Sequence, residues 1–344
     1  MLVIKAGAAN RLHPGGKMEK RKVGRTEIKI SAIGLGCVTL GREIDEETSY
    51  QVLDYALSRG INWFDSAEAY GGGNARAYRK NVLGLEDERE KTGEEGSSEK
   101  VLGRWIQTRK NRSEVIICTK VSSGSTPDNI NRALQASLER LQTDYIDIYK
   151  LHSPDEGVPI EESLVALHEQ VDKGVVRCIG CSNFAGVQLR QALDVSAARG
   201  LARFEITQPP YNLAQYQAQE DVFPLCREEE LAATPYSPLG AGFLAGKYVP
   251  DRSKFPKGSR FDVIPGHADD YFSERNFRVV EKLREKARDL GESMVRLAMA
   301  WAMTHPDVTS VLVGARKAEH IDNALEAMDF GLGTALRDEM SRWE

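Results

Sequence analysis

Four ionisable residues stand out because each lies at or just beyond the end of a short apolar run. Asp65, Lys120 and His152 each end such a run, and Tyr70 follows Asp65 in a glycine-rich segment. Taken singly, each has an ordinary structural explanation, such as a turn cap or a bond to a carbonyl. Together they are hard to explain that way, because burying the Lys120 cation costs several kcal/mol unless a carboxylate such as Asp65 pairs with it.

These four residue types can together protonate an oxygen atom. A tyrosine with its ordinary pKa of about 10 is a weak proton donor at neutral pH. A lysine cation about 4 Å away attracts the phenolate by about 4 kcal/mol at an effective dielectric constant of about 20, which predicts a lowered pKa for Tyr70, opposed by desolvation. Asp65 would hold Lys120 charged, and His152 would orient the oxygen. This chemistry suits a carbonyl whose carbon receives a hydride.

The elements that must position these residues alternate regularly between apolar strands and amphipathic helices. The predicted strands cover residues 32–36, 62–65, 115–119, 145–151, 175–181, 204–207, 231–236 and 310–313. The alternation alone permits a doubly wound sheet, but eight strands in one unbroken series favour a closed barrel. We therefore predict an α/β fold, a (β/α)8 TIM barrel with an N-terminal β-hairpin at residues 20–30 and long loops after strands two and seven. The strand ends of such a barrel converge on one mouth.

One barrel domain is predicted over residues 18–344, preceded by a flexible N-terminal extension at residues 1–17. The extension is basic, as transit peptides are, but Met18 directly precedes the first patterned segment, so an upstream start codon is the preferred explanation. The last patterned helix ends near Phe330, soon before the end of the chain. No apolar run approaches the about 18 residues that a membrane span requires.

The net charge and the cysteines limit the classes of partner and the cellular compartment that we expect. The net charge of −5 gives no reason to expect nucleic acid or an anionic membrane as partner. The five cysteines include several within apolar runs, which predicts buried thiols in a reducing, cytoplasmic compartment rather than disulfides. Cys178 and Cys181 have no matching second pair, so no metal site is expected.

Gly34 and Gly36 suggest a dinucleotide-binding fingerprint, but the third glycine is missing and no helix begins there. We interpret this segment as a strand that leaves the barrel through a flexible turn. A bound nucleotide would then require a fold other than the Rossmann fold.

A series of short motifs in a fixed order resembles the aldo-keto reductases over nearly the whole chain, from about residue 20 to residue 330. The matching segments are residues 64–71, 118–120, 144–147, 152–155, 180–184, 208, 211–213, 236–240, 242–248 and 314–316. The resemblance implies an NADPH-dependent carbonyl reductase on a (β/α)8 barrel. It also implies that Asp65, Tyr70, Lys120 and His152 form the catalytic tetrad.

The same resemblance assigns residues to a bound NADP(H). Ser182, Asn183 and Gln208 would hydrogen-bond the nicotinamide carboxamide, and Tyr236 would stack on its ring. The residues expected beside the pyrophosphate are Ser237, Leu239, Gly242 and Lys247. Those expected toward the adenosine are Gly314, Arg316, His320 and Asn323, with Arg316 as the candidate partner of the 2′-phosphate because guanidinium groups bind phosphate in a bidentate manner.

The resemblance leaves the physiological function open between two classes. The first is an oxidoreductase that transfers hydride between NADPH and an aldehyde or ketone, with sugar-derived carbonyls as candidates and Tyr70 as general acid or base. The second is a cofactor-binding, redox-sensing regulatory subunit similar to the β-subunits of potassium channels. The acidic stretch at residues 71–96 is longer than the common pattern, and the stretch after strand eight departs from it. The substrate, the strictness of NADP over NAD, the direction of reaction and the oligomeric state therefore stay open.

Overall fold

The computed structural model describes residues 18–71 and 94–344, and the predicted barrel is confirmed. Eight parallel strands form one sheet in the order β10-β3-β4-β5-β6-β7-β8-β9. These strands are β3 (Ile33–Gly36), β4 (Trp63–Asp65), β5 (Ile116–Val121), β6 (Ile146–Leu151), β7 (Val176–Ser182), β8 (Phe204–Gln208), β9 (Ala232–Ala233) and β10 (Val311–Gly314). The predictions for residues 1–17 and for most of the insert at residues 71–96 lie outside the described residues.

The first and last strands of the sheet are joined by backbone hydrogen bonds. The N–H of Thr309 donates to the carbonyl of Ala233 at 2.8 Å, and the N–H of Leu312 donates to that of Pro235 at 2.9 Å. β9 is shorter than the predicted strand at residues 231–236. Pro235 has no N–H to donate, which limits regular pairing beyond Ala233.

Helices pack around the outside of the sheet, and their starts follow the capping signals in the sequence. The side chain of Asp45 accepts a hydrogen bond from the N–H of Thr48. The side chain of Thr126 accepts one from the N–H of Asn129, and Pro127 follows in the first turn of that helix. The helices are α1 (Glu46–Ser58), α2 (Ser97–Arg109), α3 (Pro127–Leu141), α4 (Ile160–Asp172), α5 (Gly186–Arg199), α6 (Val222–Glu229), α7 (Arg260–Val263), α8 (Glu274–Leu290), α9 (Met294–Met303), α10 (Ala318–Phe330) and α11 (Thr334–Ser341).

The last helix, α11, was not predicted from the sequence. It buries Met340, and the indole N–H of Trp301 donates to Ser341 Oγ at 3.0 Å. Eight residues are too few to show a clear apolar period, so tertiary packing decides this helix. Within residues 18–71 and 94–344, no helix combines the length and apolar character needed to cross a bilayer.

The N-terminal hairpin, β1 (Lys20–Lys22) and β2 (Lys29–Ser31), packs under the barrel. Val23, Ile28 and Ile30 are buried against interior strand residues such as Ile148. Gly24 makes the turn at φ +54°, and a Cβ there would lie 2.7 Å from a backbone oxygen of β8. The hairpin therefore covers one end of the barrel interior with apolar side chains.

The long loop after β9 is held by aromatic side chains. Phe243, Tyr248, Phe261 and Phe272 form ring contacts with centroid distances of 4.4–6.4 Å. Such a cluster buries enough apolar area to order a segment with little regular secondary structure. The loop therefore presents its cationic side chains from a fixed platform.

Strand alternation selects which side chains enter the barrel. Successive residues of a strand point to opposite faces, so Trp63 and Asp65 of β4 share the interior face. Cys118 and Lys120 share it on β5, as do Ile148 and Lys150 on β6. The charged member of each pair is the one nearer the carboxyl end of its strand, where apolar filling gives way to polar side chains.

Candidate active site

The predicted tetrad is assembled at the carboxyl ends of β4, β5 and β6. Lys120 Nζ donates to Asp65 Oδ2 at 2.6 Å and to the backbone oxygen of Ser66 at 2.7 Å. The same ammonium lies 3.5 Å from the hydroxyl of Tyr70. The ring of Tyr70 meets that of His152 edge to face, with centroids 5.7 Å apart. The strands thus bring together residues that are far apart in sequence.

Asp65 and Lys120 form a fully buried ion pair, with side chains 2% and 0% exposed. Burial acts to raise the pKa of Asp65, but attraction to Lys120 and Lys150 outweighs it and leaves that pKa below its ordinary value. Burial acts to lower the pKa of Lys120, yet the charge of Asp65 holds it above its ordinary value. Lys120 is therefore a permanent cation beside the phenol of Tyr70.

The expected lowering of the pKa of Tyr70 is not found. Desolvation raises this pKa above its ordinary value, and the attraction of Lys120, partly offset by Asp65, does not overcome it. The lysine is too far from the hydroxyl, at 3.5 Å, to make a strong hydrogen bond. The phenol is therefore fully protonated at neutral pH, which is the state a proton donor needs.

His152 is neutral at physiological pH. Burial, followed by the positive charge of Lys120, lowers the pKa of His152 to about 3. Its Nδ1 lies 2.6 Å from Ser122 Oγ. When the Ser122 hydroxyl donates to Nδ1, the proton of the neutral ring is on Nε2, which can then donate to a ligand oxygen.

The residues predicted for the carboxamide form a connected network with the tetrad. Gln208 Nε2 donates to Asp65 Oδ2 at 3.2 Å, and Ser182 Oγ donates to the backbone oxygen of Gln208 at 2.8 Å. The Tyr236 hydroxyl donates to Asn183 Oδ1 at 2.8 Å, and Asn183 Nδ2 donates to the backbone oxygen of His152 at 2.9 Å. Asn183 has a positive φ of 63°, which the surrounding contacts must hold.

A cleft of about 470 Å³ opens over this network. Every predicted site residue lines it except Lys120, which lies behind Asp65 and Tyr70. The residues expected beside a pyrophosphate follow β9 in a tight turn where Ser237 and Gly242 both have positive φ. A Cβ on Gly242 would lie 3.4 Å from Lys247 Nζ, so the turn and this cation are close neighbours.

The predicted Arg316 belongs to a cluster of charges whose other members were not predicted, and we call it the arginine cluster. Glu43, almost fully buried, lies 3.6 Å from Arg316, 3.8 Å from Arg260 and 4.0 Å from Arg42. Two of these arginines, Arg260 and Arg316, line the cleft together with Glu43 and Lys247. The cluster can bind an anion, but it contains its own carboxylate.

The donors and acceptors in the cleft fit a nicotinamide cofactor. Gln208, Ser182 and Asn183 offer hydrogen-bonding groups for a carboxamide, and Lys247 with Arg316 offers cations for phosphates. Among the described residues, no group of three or more His, Cys, Asp or Glu side chains could hold a metal ion. Cys178 and Cys181 belong to separate core clusters, on opposite faces of β7.

The family model of the aldo/keto reductase family matches residues 32–343 of this chain. The chain belongs to the aldo/keto reductase family. It is 32% identical to the aldo-keto reductase YhdN of Bacillus subtilis, with 94% of this chain and 91% of that protein covered. It is 31% identical to the uncharacterised oxidoreductase YrpG of the same bacterium, with 92% of each chain covered. A probable voltage-gated potassium channel subunit beta of Arabidopsis thaliana is 29% identical over 91% of this chain and 92% of that protein.

As a member of this family the protein is an oxidoreductase, and sequence reasoning missed several of its site residues, among them Lys150, Ser122 and Glu43. Lys150 lies two positions before His152 on the interior face of β6, so strand alternation could have identified it. Ser122 lies two positions after Lys120 and follows the same rule. Glu43 carried no signal, because Arg260 and Arg316, the two partners that line the cleft with it, come from distant parts of the chain.

Proposed function

We propose that this protein reduces an aldehyde or ketone with NADPH, and catalyses the reverse oxidation of the corresponding alcohol. The observation that carries this proposal is the buried Asp65–Lys120 pair beside a protonated tyrosine and a neutral histidine at the wall of a cleft. The family supports an oxidoreductase, and the lining of the cleft supports a nicotinamide cofactor. Sugar-derived carbonyls are candidate substrates.

The chain's own residues would handle the proton and orient the substrate, and the bound cofactor supplies the hydride. His152 Nε2 donates a hydrogen bond to the carbonyl oxygen and places it next to the hydroxyl of Tyr70. As negative charge develops on that oxygen, Tyr70 transfers its proton, because an alkoxide is a far stronger base than a phenolate. The cation of Lys120 stabilises the resulting phenolate, and Asp65 keeps that cation in place.

NADP(H) is the proposed cofactor because the cleft combines Lys247 and Arg316 with the amide and hydroxyl groups near the tetrad. Ser182, Asn183 and Gln208 would hold the carboxamide, and Tyr236 would pack on the ring. Arg316 would bind the 2′-phosphate, and Gly314, His320 and Asn323 would border the adenosine. Because Glu43 opposes a phosphate near Arg316, the preference for NADP over NAD depends on how the cluster rearranges.

The experiment that tests this function follows NADPH absorbance over a panel of aldehydes and sugar ketones with the wild type and Tyr70→Phe. Loss of the general acid is expected to lower turnover by about 10²- to 10⁴-fold. NADPH binding, measured by equilibrium titration, should be retained because the hydroxyl alone is removed. A Tyr70→Phe variant that turns over at the wild-type rate would contradict the assignment of the acid.

A regulatory function is the second candidate, since relatives that match 91% of this chain are named as probable voltage-gated potassium channel β-subunits. A large exposed apolar surface would favour a docking role. The large hydrophobic side chains that are exposed among the described residues lie on four separate segments, at Val165, Val187, Val249 and Leu290. Tight NADPH binding without turnover on any carbonyl would favour the regulatory function over the reductase.

The partners and the compartment are further parts of the proposal. A small carbonyl or alcohol is the proposed partner, rather than nucleic acid or membrane, because the net charge is negative and the cleft is of small-molecule size. A cytoplasmic location is proposed because all five cysteines are free and buried. Cell fractionation with an antibody to the protein would test the location directly.

A further inference from the structure

A second lysine is buried inside the barrel next to the tetrad. Lys150 has no exposed surface, and its neighbour across β5 and β6 is Lys120, with which it is in register. Its Nζ donates to Gln208 Oε1 at 2.8 Å and lies 3.6 Å from Asp65 Oδ1. The single carboxylate of Asp65 therefore faces two ammonium groups, one on each oxygen.

The pocket that receives Lys150 is built by residues of the barrel interior. The ammonium lies 5.2 Å above the indole of Trp63, a cation–π distance. The indole N–H of Trp63 is fixed by Ser310 Oγ at 2.9 Å, and Gly34 leaves room for the ring, since a Cβ there would lie 2.1 Å from its nitrogen. A lysine held by an acceptor, a carboxylate and an aromatic face has a defined position.

Lys150 determines how the amide of Gln208 is oriented. The carbonyl oxygen of that amide accepts from Lys150, and its Nε2 donates one hydrogen to Asp65. A lysine can only donate and an ionised carboxylate can only accept, so the amide has one permitted orientation. The hydrogen that remains on Nε2 is then the group that Gln208 can offer to a ligand in the cleft, which it lines.

Ser182, which lies beside Gln208 in the cleft, has the complementary hydrogen-bonding character. The hydroxyl hydrogen of Ser182 is used by the backbone oxygen of Gln208, so the oxygen of Ser182 is left as an acceptor. A donor at Gln208 and an acceptor at Ser182 match the carbonyl and the amino group of a carboxamide in one orientation. That orientation decides which face of a nicotinamide ring is turned toward the substrate.

We propose that Lys150 is a positioning residue of the nicotinamide subsite, which acts by fixing the amide of Gln208 as a hydrogen-bond donor. This inference rests on the proposed NADPH-dependent function and extends it to a residue outside the tetrad. Lys150 itself does not line the cleft, so it acts through Gln208 rather than by touching the cofactor. Its loss should therefore weaken binding of the nicotinamide half of the cofactor alone.

The test measures equilibrium binding of NADPH and of 2′,5′-ADP, a fragment that lacks the nicotinamide, to the wild type and to Lys150→Met. We expect NADPH affinity to fall about tenfold, because a buried amide oxygen loses its donor, with 2′,5′-ADP affinity unchanged. Equal weakening of both ligands would indicate general structural damage and would overturn the inference. Unchanged NADPH affinity would do the same.

A double-mutant cycle with Gln208→Met shows whether the two residues act as one unit. If Lys150 acts through Gln208, the double variant should bind NADPH no more weakly than Gln208→Met alone. Losses that multiply in the double variant would overturn the inference, because Lys150 would then act on binding independently of Gln208.

Lys150→Gln covers the case in which the methionine variant does not fold, and separates hydrogen bonding from charge. Its amide can still donate to Gln208 Oε1, so NADPH affinity is expected within about threefold of the wild type. A tenfold loss in a folded Lys150→Gln would assign the effect to charge and contradict the role in orienting the amide.

If the wild type binds neither NADPH nor 2′,5′-ADP, the proposed function fails and this inference fails with it. Wild-type binding that the Lys150 variants leave unchanged would overturn this inference alone.

Discussion

The tetrad and the arginine cluster line the same cleft but are held in different ways. Lys120 and Asp65 are fully buried on strands of the barrel, whereas the side chain of Arg316 is half exposed and Glu43 comes from the segment after β3. Among the described residues, Asp65 faces Lys120 of the tetrad and Lys150 beside it, and Glu43 faces three arginines. Both carboxylates are buried, but solvent reaches Arg316 and screens its contact with Glu43, whereas no solvent reaches the pair of Lys120 and Asp65. Full burial makes that pair rigid and costly to alter.

The difference has a functional consequence. A rigid, buried charge pair suits a step in which a proton must move between fixed atoms. The arginine cluster, with an exposed Arg316 and an internal carboxylate, suits a site that exchanges one anion for another. The contrast predicts that substitutions in the tetrad affect stability and turnover, whereas those in the cluster affect the choice of cofactor.

The largest effect is expected for Asp65→Asn, which leaves two buried ammonium groups without a carboxylate. Removal of one partner of a buried pair costs about 3–5 kcal/mol, so the free energy of unfolding in urea should fall by that amount. Glu169→Gln is the matched control, since its ion pair with Lys173 is exposed and contributes at most about 1 kcal/mol. Similar losses for the two variants would contradict the contrast between buried and screened charges.

The next effect concerns acid stability and the neutral His152. In the unfolded chain a histidine binds a proton below about pH 6.5, whereas the folded protein resists protonation of His152 until about pH 3. Stability should therefore fall as the pH drops through this window, by at most about 2 kcal/mol at pH 5.

The comparison for this prediction is His152→Gln, which removes the titrating group. The free energy of unfolding of this variant, measured by urea titration, should decrease less steeply than that of the wild type as the pH falls from about 7 to about 5. His305 and His320 also have lowered pKa values, but both proteins retain them, so their effect cancels. Parallel pH profiles would show that His152 is not the group responsible.

A smaller effect is expected for Arg316→Ala, in the arginine cluster. If Arg316 binds the 2′-phosphate, its loss should weaken NADPH binding about tenfold and leave NADH binding unchanged. Isothermal titration with both cofactors measures this ratio. An equal loss for the two cofactors would show that Arg316 recognises a group that they share.

The smallest change, a gain rather than a loss of NADPH affinity, is expected for Glu43→Gln. The carboxylate of Glu43 attracts Arg260 and Arg316 and repels a phosphate that approaches them. Its neutralisation should raise the affinity for NADPH two- to threefold, consistent with about 0.5 kcal/mol for a partly screened pair. A fall in affinity would mean that Glu43 organises the arginines rather than competing with the phosphate.

Much of the fold and of the tetrad could be predicted because the relevant signals are local. Apolar runs that end in Asp65, Lys120 and His152 mark strand ends, and parallel strands bring such ends to one mouth. The pKa of Tyr70 was wrongly predicted, because desolvation depends on atoms from several strands and opposes the attraction of Lys120. The helix α11 was missed because packing against Trp301, rather than an apolar period, stabilises it.

By itself, the sequence determined the period-two alternation that places Asp65, Lys120 and Lys150 inside the barrel, and the order of motifs that marks the family. Only the tertiary structure decided that Lys150 shares Asp65 with Lys120 and that Gln208 is fixed between them. It also decided that Arg260 and Arg316, from remote segments, lie beside Glu43. The physical reason is the distance along the chain over which each interaction acts. Alternation and capping act between near neighbours in the chain, whereas charge pairing and desolvation depend on distances in space that only the closed barrel sets.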